Sequence, residues 1–224
     1  GTRVGMQPWS ALFERAARYD VDEDDIREML AGLRETDSDD ETGGTAGDSS
    51  TSEETDATAN SGENELTPPD ESSPARVVAD ADVLAADLLV GGDARRALDP
   101  LREHTWITLL ASEPLLDDAA AVVADLADAD LAADWRERVT EWCELVSQPA
   151  GDHPALATAY RGGAMHLLSY DDRLLSAQAG ATLGSRISVS ARHPRAFATL
   201  FDAESLYQEV VGGEYPGPDR DPRS

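Results

Sequence analysis

Five acidic residues, at four places in the C-terminal two-thirds of the chain, fall within or at the edges of apolar segments. Asp80 closes Arg76-Val77-Val78-Ala79, Asp117 and Asp118 lie inside a helix-like stretch, and Asp152 opens another helix. Asp171 follows Met165-His166-Leu167-Leu168-Ser169-Tyr170. A carboxylate at the end of a buried strand is costly unless it is paired, so several that converge need a cation between them. The chemistry such a pocket supports is metal-assisted hydrolysis of phosphodiesters.

Each acid also has a plainer role. Asp152 can serve only as a helix N-cap, and Asp117 and Asp118 as solvated helix acids. Asp80 and Asp171 are harder to explain that way, because each follows an apolar strand. His104, His153, His166 and His193 show no metal-ligand spacing and read as surface or loop residues. Trp106, Trp135 and Trp142 have core-like spacing. Cys143 sits on a helix with no neighbouring base and reads as buried and inert. Arg161, Arg173, Arg186 and Arg192 are candidates for contacting a substrate phosphate, or equally for ion pairs.

The elements that must position these residues follow from composition and periodicity. The 224 residues suffice for one full domain and an appendage. They carry 45 acids against 18 basic residues, all Arg, for a net charge of -27. A basic partner could be served by such a surface. The excess is spread along the whole chain and Lys is absent, which favours adaptation to molar cytoplasmic salt, where charges are screened within about 3 Å. In molar salt the lack of a basic stripe does not exclude RNA or DNA; binding would rest on metal, stacking and shape. One cysteine rules out an intramolecular disulfide. With no long apolar run and no signal-peptide core at Gly1–Gly5, the expectation is a halophilic, soluble, cytoplasmic protein with no membrane segment.

Three zones are expected. Residues 1–34 hold two short helices, with Trp9, Leu12, Phe13 and Ala16, then Ile26, Met29, Leu30 and Leu33, at helical spacing. They should dock on the main domain or on a protein partner. Residues 35–74 contain 13 acids and no basic residue, and read as a disordered acidic linker. Residues 75–224 alternate strands with helices, which predicts an α/β domain with a parallel sheet sandwiched by helices. Strands are expected at Arg76–Ala79, Thr105–Leu109, Met165–Ser169 and Arg186–Val189. Helices are expected over Val83–Val90, Asp93–Arg102, from Ser112 through Leu126, across Leu131–Val146, from Asp152 to Tyr160, over Asp172–Ala179, and at Pro194–Phe201 and Glu204–Val211. In such sheets ligands bind beyond the carboxyl ends of the strands, where Asp80 and Asp171 fall.

The order strand-Asp, helix with an internal acid, helix-opening Asp, strand-Ser-x-Asp resembles the PIN-domain nuclease family over about residues 75–211. The family's opening motif is similar to Val77-Val78-Ala79-Asp80-Ala81-Asp82-Val83-Leu84. Its late motif is similar to Asp152-His153-Pro154-Ala155-Leu156, followed by a glycine turn and Leu167-Leu168-Ser169-Tyr170-Asp171-Asp172-Arg173. The resemblance implies a PIN-like three-layer α/β/α fold and endonuclease activity on RNA with Mg²⁺ or Mn²⁺. It implies that Asp80 is the central ligand, that Asp152 and Asp171 stand opposite, that Asp117 or Asp118 is the helix acid, and that Ser169 hydrogen-bonds within the site. Arg173 would then meet substrate. Ala81 and Asp82 depart from the family's Thr and Asn, which keeps open a catalytically degenerate binding or regulatory module. Whether two copies pair as a homodimer stays open.

Overall fold

Val77, Val78 and Ala79 are buried on both faces of a sheet, so the strand that carries them must be central and nearly all apolar. The computed structural model describes residues 6–40, 72–147, 153–176 and 189–224. Strand β1 (Ser73–Ala79) lies between β2 (Thr108–Ala111) and β4 (Ala164–Leu168), and β3 (Glu144–Leu145) and β5 (Ser190–Arg192) form the edges. The order is β3-β2-β1-β4-β5 and every pairing is parallel. Val77 pairs with Leu109 on one side and His166 on the other.

Parallel neighbours need crossover connections, and helices supply them. Ahead of the sheet come α1 (Trp9–Ala16) and α2 (Glu23–Asp40). Then α3 (Ala81–Leu89) and α4 (Gly92–Glu103) join β1 to β2, α5 (Glu113–Leu126) and α6 (Ala129–Trp142) join β2 to β3, and α7 (Pro154–Gly162) precedes β4. The short α8 (Asp172–Leu175) follows β4, and α9 (Pro194–Leu200) and α10 (Ala203–Val210) follow β5. The protein is thus an α/β fold with a parallel five-stranded sheet flanked by helices. From β1 the chain builds outward to β2 and β3, then returns to the other side of β1 as β4. The crevice where the order reverses lies beyond the carboxyl ends of β1 and β4, the place open sheets present to ligands.

Every residue of α3 is buried, including Asp82 and Asp87. A helix buried all round normally carries no charge, so each of these acids needs a specific partner. Asp87 has one: Arg102, itself 3% exposed, donates to both carboxylate oxygens, one at 3.1 Å. The Arg102 guanidinium also lies 4.3 Å from the ring centroid of Trp9 and 4.7 Å from that of Trp142. Asp82 belongs to the crevice.

The N-terminal helices dock on their own domain: Trp9, Leu12, Phe13, Ala16, Ile26 and Leu30 are buried in the same core as the sheet. Their apolar faces are covered without a partner chain. The C-terminal tail straps back over this region, with Arg223 pairing with Asp99 at 2.7 Å and accepting from the Ser10 amide at 3.1 Å. At Gly162 a Cβ would come within 2.3 Å of Leu110 Cδ1, so α7 reaches β2 only because that position has no side chain.

Several boundaries differ from expectation. Helix α2 continues to Asp40, past the start of the expected linker, and residues 41–71 lie outside the described residues. Strand β2 starts at Thr108 rather than Thr105, because Thr105 is held by Asp219 of the tail and His104 by Tyr215. Helix α6 stops at Trp142, and Glu144–Leu145 pair with β2 as a fifth strand. The expected strand at Arg186–Val189 falls on residues 186–188 outside the description; the described strand is Ser190–Arg192, and Val189 precedes it. No helix among the described residues is long and apolar enough to cross a membrane.

Candidate functional site

Three short stretches build the crevice. Asp80 follows β1 and caps α3, its Oδ1 accepting the Ala81 amide at 2.8 Å. Its own amide extends the sheet by donating to the Leu168 carbonyl at 2.8 Å, which fixes Asp80 beside the end of β4. There Ser169 Oγ donates to Asp80 Oδ2 at 3.1 Å, lies 3.4 Å from Asp82 Oδ2, and accepts the Asp171 amide at 3.0 Å. The Tyr170 amide donates to Asp82 Oδ2 at 3.0 Å, and the Val83 amide to Asp82 Oδ1 at 2.6 Å.

Asp80 and Asp82 are 0% and 2% exposed, so two carboxylates share one dry hydroxyl. Burial, and then the neighbouring Asp80 charge, push the Asp82 carboxyl well above the usual carboxylate range, against the pull of the Tyr170 and Val83 amides. Asp171 behaves oppositely. It caps α8, and although burial raises it, the side chain and amide of Arg173 hold it below its ordinary value. The Arg173 guanidinium reaches Asp171 Oδ2 at 2.8 Å from a position that is 84% exposed.

The cation at the centre comes from α2. Arg34 donates to Asp80 Oδ1 at 2.9 Å, and its Nε stands 3.7 Å from Asp118 Oδ2. Asp118 therefore faces the crevice. Asp117, one residue earlier, is turned outward, 69% exposed and paired with Arg136 at 3.0 Å, alongside Glu113. The structure separates the two helix acids and brings only Asp118 to the site.

A cavity of about 870 Å³ opens in front of these groups, with Arg27, Arg34, Asp82, His153, Tyr170 and Arg173 in its wall. The Tyr170 hydroxyl donates to Glu23 at 3.2 Å, tying the start of α2 to the loop after β4. His153 opens α7, and both of its ring nitrogens are shielded from solvent without a hydrogen-bond partner among the described residues. Burial holds the imidazole below its ordinary range, opposed by Asp80 and reinforced by Arg34. The ring is therefore neutral at neutral pH, an idle donor and acceptor facing the cavity.

Sequence reasoning placed Asp80, Asp118, Asp171, Ser169 and Arg173 here, and the structure gathers them. Asp152, adjacent to His153, lies outside the described residues. Arg34 and Tyr170 also line the crevice and carried no role in the sequence reading. Asp82, read there only as a departure from the family motif, is buried beside Asp80, and His153, read as a surface or loop histidine, stands just before α7 with its ring nitrogens shielded from solvent. Arg161 donates to the Ser147 carbonyl, Arg192 to Ser190, and Arg186 lies outside the described residues. Cys143 is half-buried, and burial pushes its thiol up to about 11, in keeping with an inert residue.

The donor groups suit a hard divalent cation in kind, since all are carboxylate or hydroxyl oxygens. In charge the fit is partial: among the described residues no cation is bonded to Asp82, and burial beside Asp80 pushes its carboxyl toward the neutral form. They fall short in number: among the described residues no three His, Cys, Asp or Glu side chains are grouped closely enough to hold an ion.

No curated protein and no solved structure matches the chain. Residues 71–223, from the start of β1 to the tail, match a family of unknown function, DUF7384, and the chain belongs to that family.

Proposed function

We propose that this chain is a metal-dependent endoribonuclease with a PIN-like α/β/α domain, working through the crevice beyond β1 and β4. One observation supports this reading above the others: Asp80 and Asp82 are buried side by side at the switch point of the sheet. Asp80 is helped by Arg34 and both acids by backbone amides, yet two dry carboxylates sharing one hydroxyl still cost several kcal/mol, which a divalent ion would offset.

Asp80, Asp118 and Asp171, which are not grouped closely enough in this structure to hold an ion, would have to converge on Mg²⁺ or Mn²⁺, with Asp152 added on sequence grounds. An ion held there would supply an activated water for attack on phosphorus and charge stabilisation for the leaving oxygen. The chain's own residues do the rest. Ser169 fixes the Asp80 carboxylate through its hydrogen bond to Oδ2. Arg173, exposed at the cavity wall, meets a substrate phosphate in exchange for Asp171. His153 offers a neutral imidazole to an oxygen of the bound substrate, filling the partnerless positions on its ring.

A second reading, a catalytically silent binding or regulatory module on the same fold, is favoured by the Arg34–Asp80 contact, which supplies a cation without any metal.

The test is incubation of labelled single-stranded RNA with the full chain in molar KCl, with Mn²⁺ or with a chelator. Internal cleavage only with metal is expected. Asp118→Asn should cost at least about tenfold in rate, whereas Asp117→Asn, whose carboxylate is engaged by Arg136, should stay within about twofold. Intact RNA with every divalent ion would reject the enzyme reading.

A further inference from the structure

Helix α10 has no buried residue. A helix that short does not hold its shape alone in water; helices in proteins are stabilised by burying an apolar face. The face exists. Leu206 and Val210, then Tyr207 and Val211, stand four residues apart and share one side of the helix. Leu206 and Tyr207 are half-buried, Leu206 against the core and Tyr207 edge-on to Trp106. Val210 and Val211 continue that side into solvent, 38% and 51% exposed, and Leu200 at the end of α9 is 66% exposed. Among the described residues one other large hydrophobic side chain is exposed, Leu145 on the opposite edge of the sheet.

Leu200 also walls a cavity of about 210 Å³, together with Phe201, Leu206, Arg192 and Glu209. Ligand pockets start at about 300 Å³, so this groove is sized for a side chain of another surface rather than for a cofactor. The parts of the chain outside the described residues are poor in side chains that would fill it. Residues 41–71 hold one large apolar residue, Leu66, and residues 177–188 hold two, Leu183 and Ile187.

Charge selects the occupant. Arg192 lines the groove and Arg195 adjoins Leu200 on its other side. Neither forms an ion pair among the described residues; the Arg192 Nε donates to Ser190 instead. Glu204 and Glu209 of α10 are exposed. The rim of the patch therefore bears both signs. A wholly basic or wholly acidic partner would set like charge against half of it. A second copy turned about a two-fold axis meets each sign with the other and apolar surface with apolar surface, because an isologous interface pairs a patch with itself.

We propose that α9 and α10 form the self-association face of this protein and join two copies about a two-fold axis. The pairing does not depend on the metal reading of the crevice. Helices of seven and eight residues make a small contact, and interfaces below about 1,200 Å² are weak and transient. A net charge of -27 on each chain opposes association in dilute buffer, whereas molar salt screens that repulsion within about 3 Å. The dimer belongs to high salt and high protein concentration.

Sedimentation equilibrium of the full chain in molar KCl reads this directly. The average mass should climb from one chain toward two as protein concentration rises, and association should weaken as KCl is diluted. Leu200→Glu and Val211→Asp should each weaken association at least about tenfold, the scale of truncating a residue central to an interface. Both positions are exposed, so the circular dichroism spectrum should match wild type. Leu145→Glu, on the far edge of the sheet, should leave association unchanged. A single-chain mass at every concentration would overturn the proposal. So would a dimer that keeps its affinity in Leu200→Glu or Val211→Asp, or one that loses it in Leu145→Glu.

Discussion

Asp80→Asn is expected to abolish detectable Mn²⁺ binding and to lower RNA cleavage by at least about 10²–10³-fold, the scale seen when one charge-stabilising group is taken from a dry site. Asp80 is the residue on which the site converges: it is fully buried, ends the central strand, and accepts from Arg34, Ala81 and Ser169. Asn preserves the shape and still accepts the Ala81 amide, and it is as good an N-cap as Asp, so α3 should start where it does now. What it removes is the charge, and with it both the attraction for a divalent ion and the pair with Arg34. The circular dichroism spectrum should therefore match wild type while metal binding and cleavage fail together. Cleavage at the wild-type rate would show that the crevice is not where the chemistry occurs.

The largest effect on stability is expected from Arg102→Ala. Arg102 neutralises Asp87 inside a helix with no exposed face, and its guanidinium lies over Trp9 and Trp142, with Phe13 at 5.3 Å. Truncation leaves Asp87 charged and dry, and breaking one partner of a buried pair costs about 3–5 kcal/mol. For a chain of this size the thermal midpoint should fall by roughly 2–4 °C per kcal/mol, hence about 6–20 °C. Trp9 should become more exposed, because the cation that joins α1 to α4 and α6 is gone, and its fluorescence should shift to longer wavelength. Replacing both partners, Arg102→Met with Asp87→Leu, should recover most of the loss, since an apolar pair carries no desolvation cost. A loss below about 1 kcal/mol in Arg102→Ala would show that the buried pair contributes little.

Much of the site could be read from the chain, because strand-end carboxylates interrupt an apolar pattern. Val77-Val78-Ala79-Asp80 and Leu167-Leu168-Ser169-Tyr170-Asp171 mark the ends of β1 and β4, and the parallel topology brings those ends together. The choice between Asp117 and Asp118 was left open by the sequence and is explained by burial in the structure. Asp118 lies three residues after buried Leu115 and Asp117 four after exposed Glu113, so helical phase puts Asp118 at the edge of the buried face and Asp117 on the far side. Asp82 was less plain: its burial follows from Ala81–Leu89 offering no polar face, a signal in the helix as a whole. His153 carried a hint in its place beside Asp152 at a helix start.

Arg34 carried no local signal. It lies 46 residues before Asp80, and nothing in the sequence around it says that Arg34 of α2 reaches that carboxylate. Long-range docking set its role. The same limit explains the sheet edges. Glu144–Leu145 continue a helical pattern, yet backbone pairing with β2 makes them a strand, and very short edge strands leave little sequence trace. The late start of β2 is likewise imposed from afar, by Tyr215 and Asp219 of the tail holding His104 and Thr105.

The central claim, that buried carboxylates at the switch point bind a divalent ion, is tested most directly by a crystal of the full chain soaked in Mn²⁺ and measured at the manganese absorption edge. The expected map has one anomalous peak with an Asp80 oxygen within about 2.0–2.6 Å, further carboxylate oxygens around it, and Arg34 withdrawn. A saturated crystal with no peak in the crevice and Arg34 still bonded to Asp80 would contradict it.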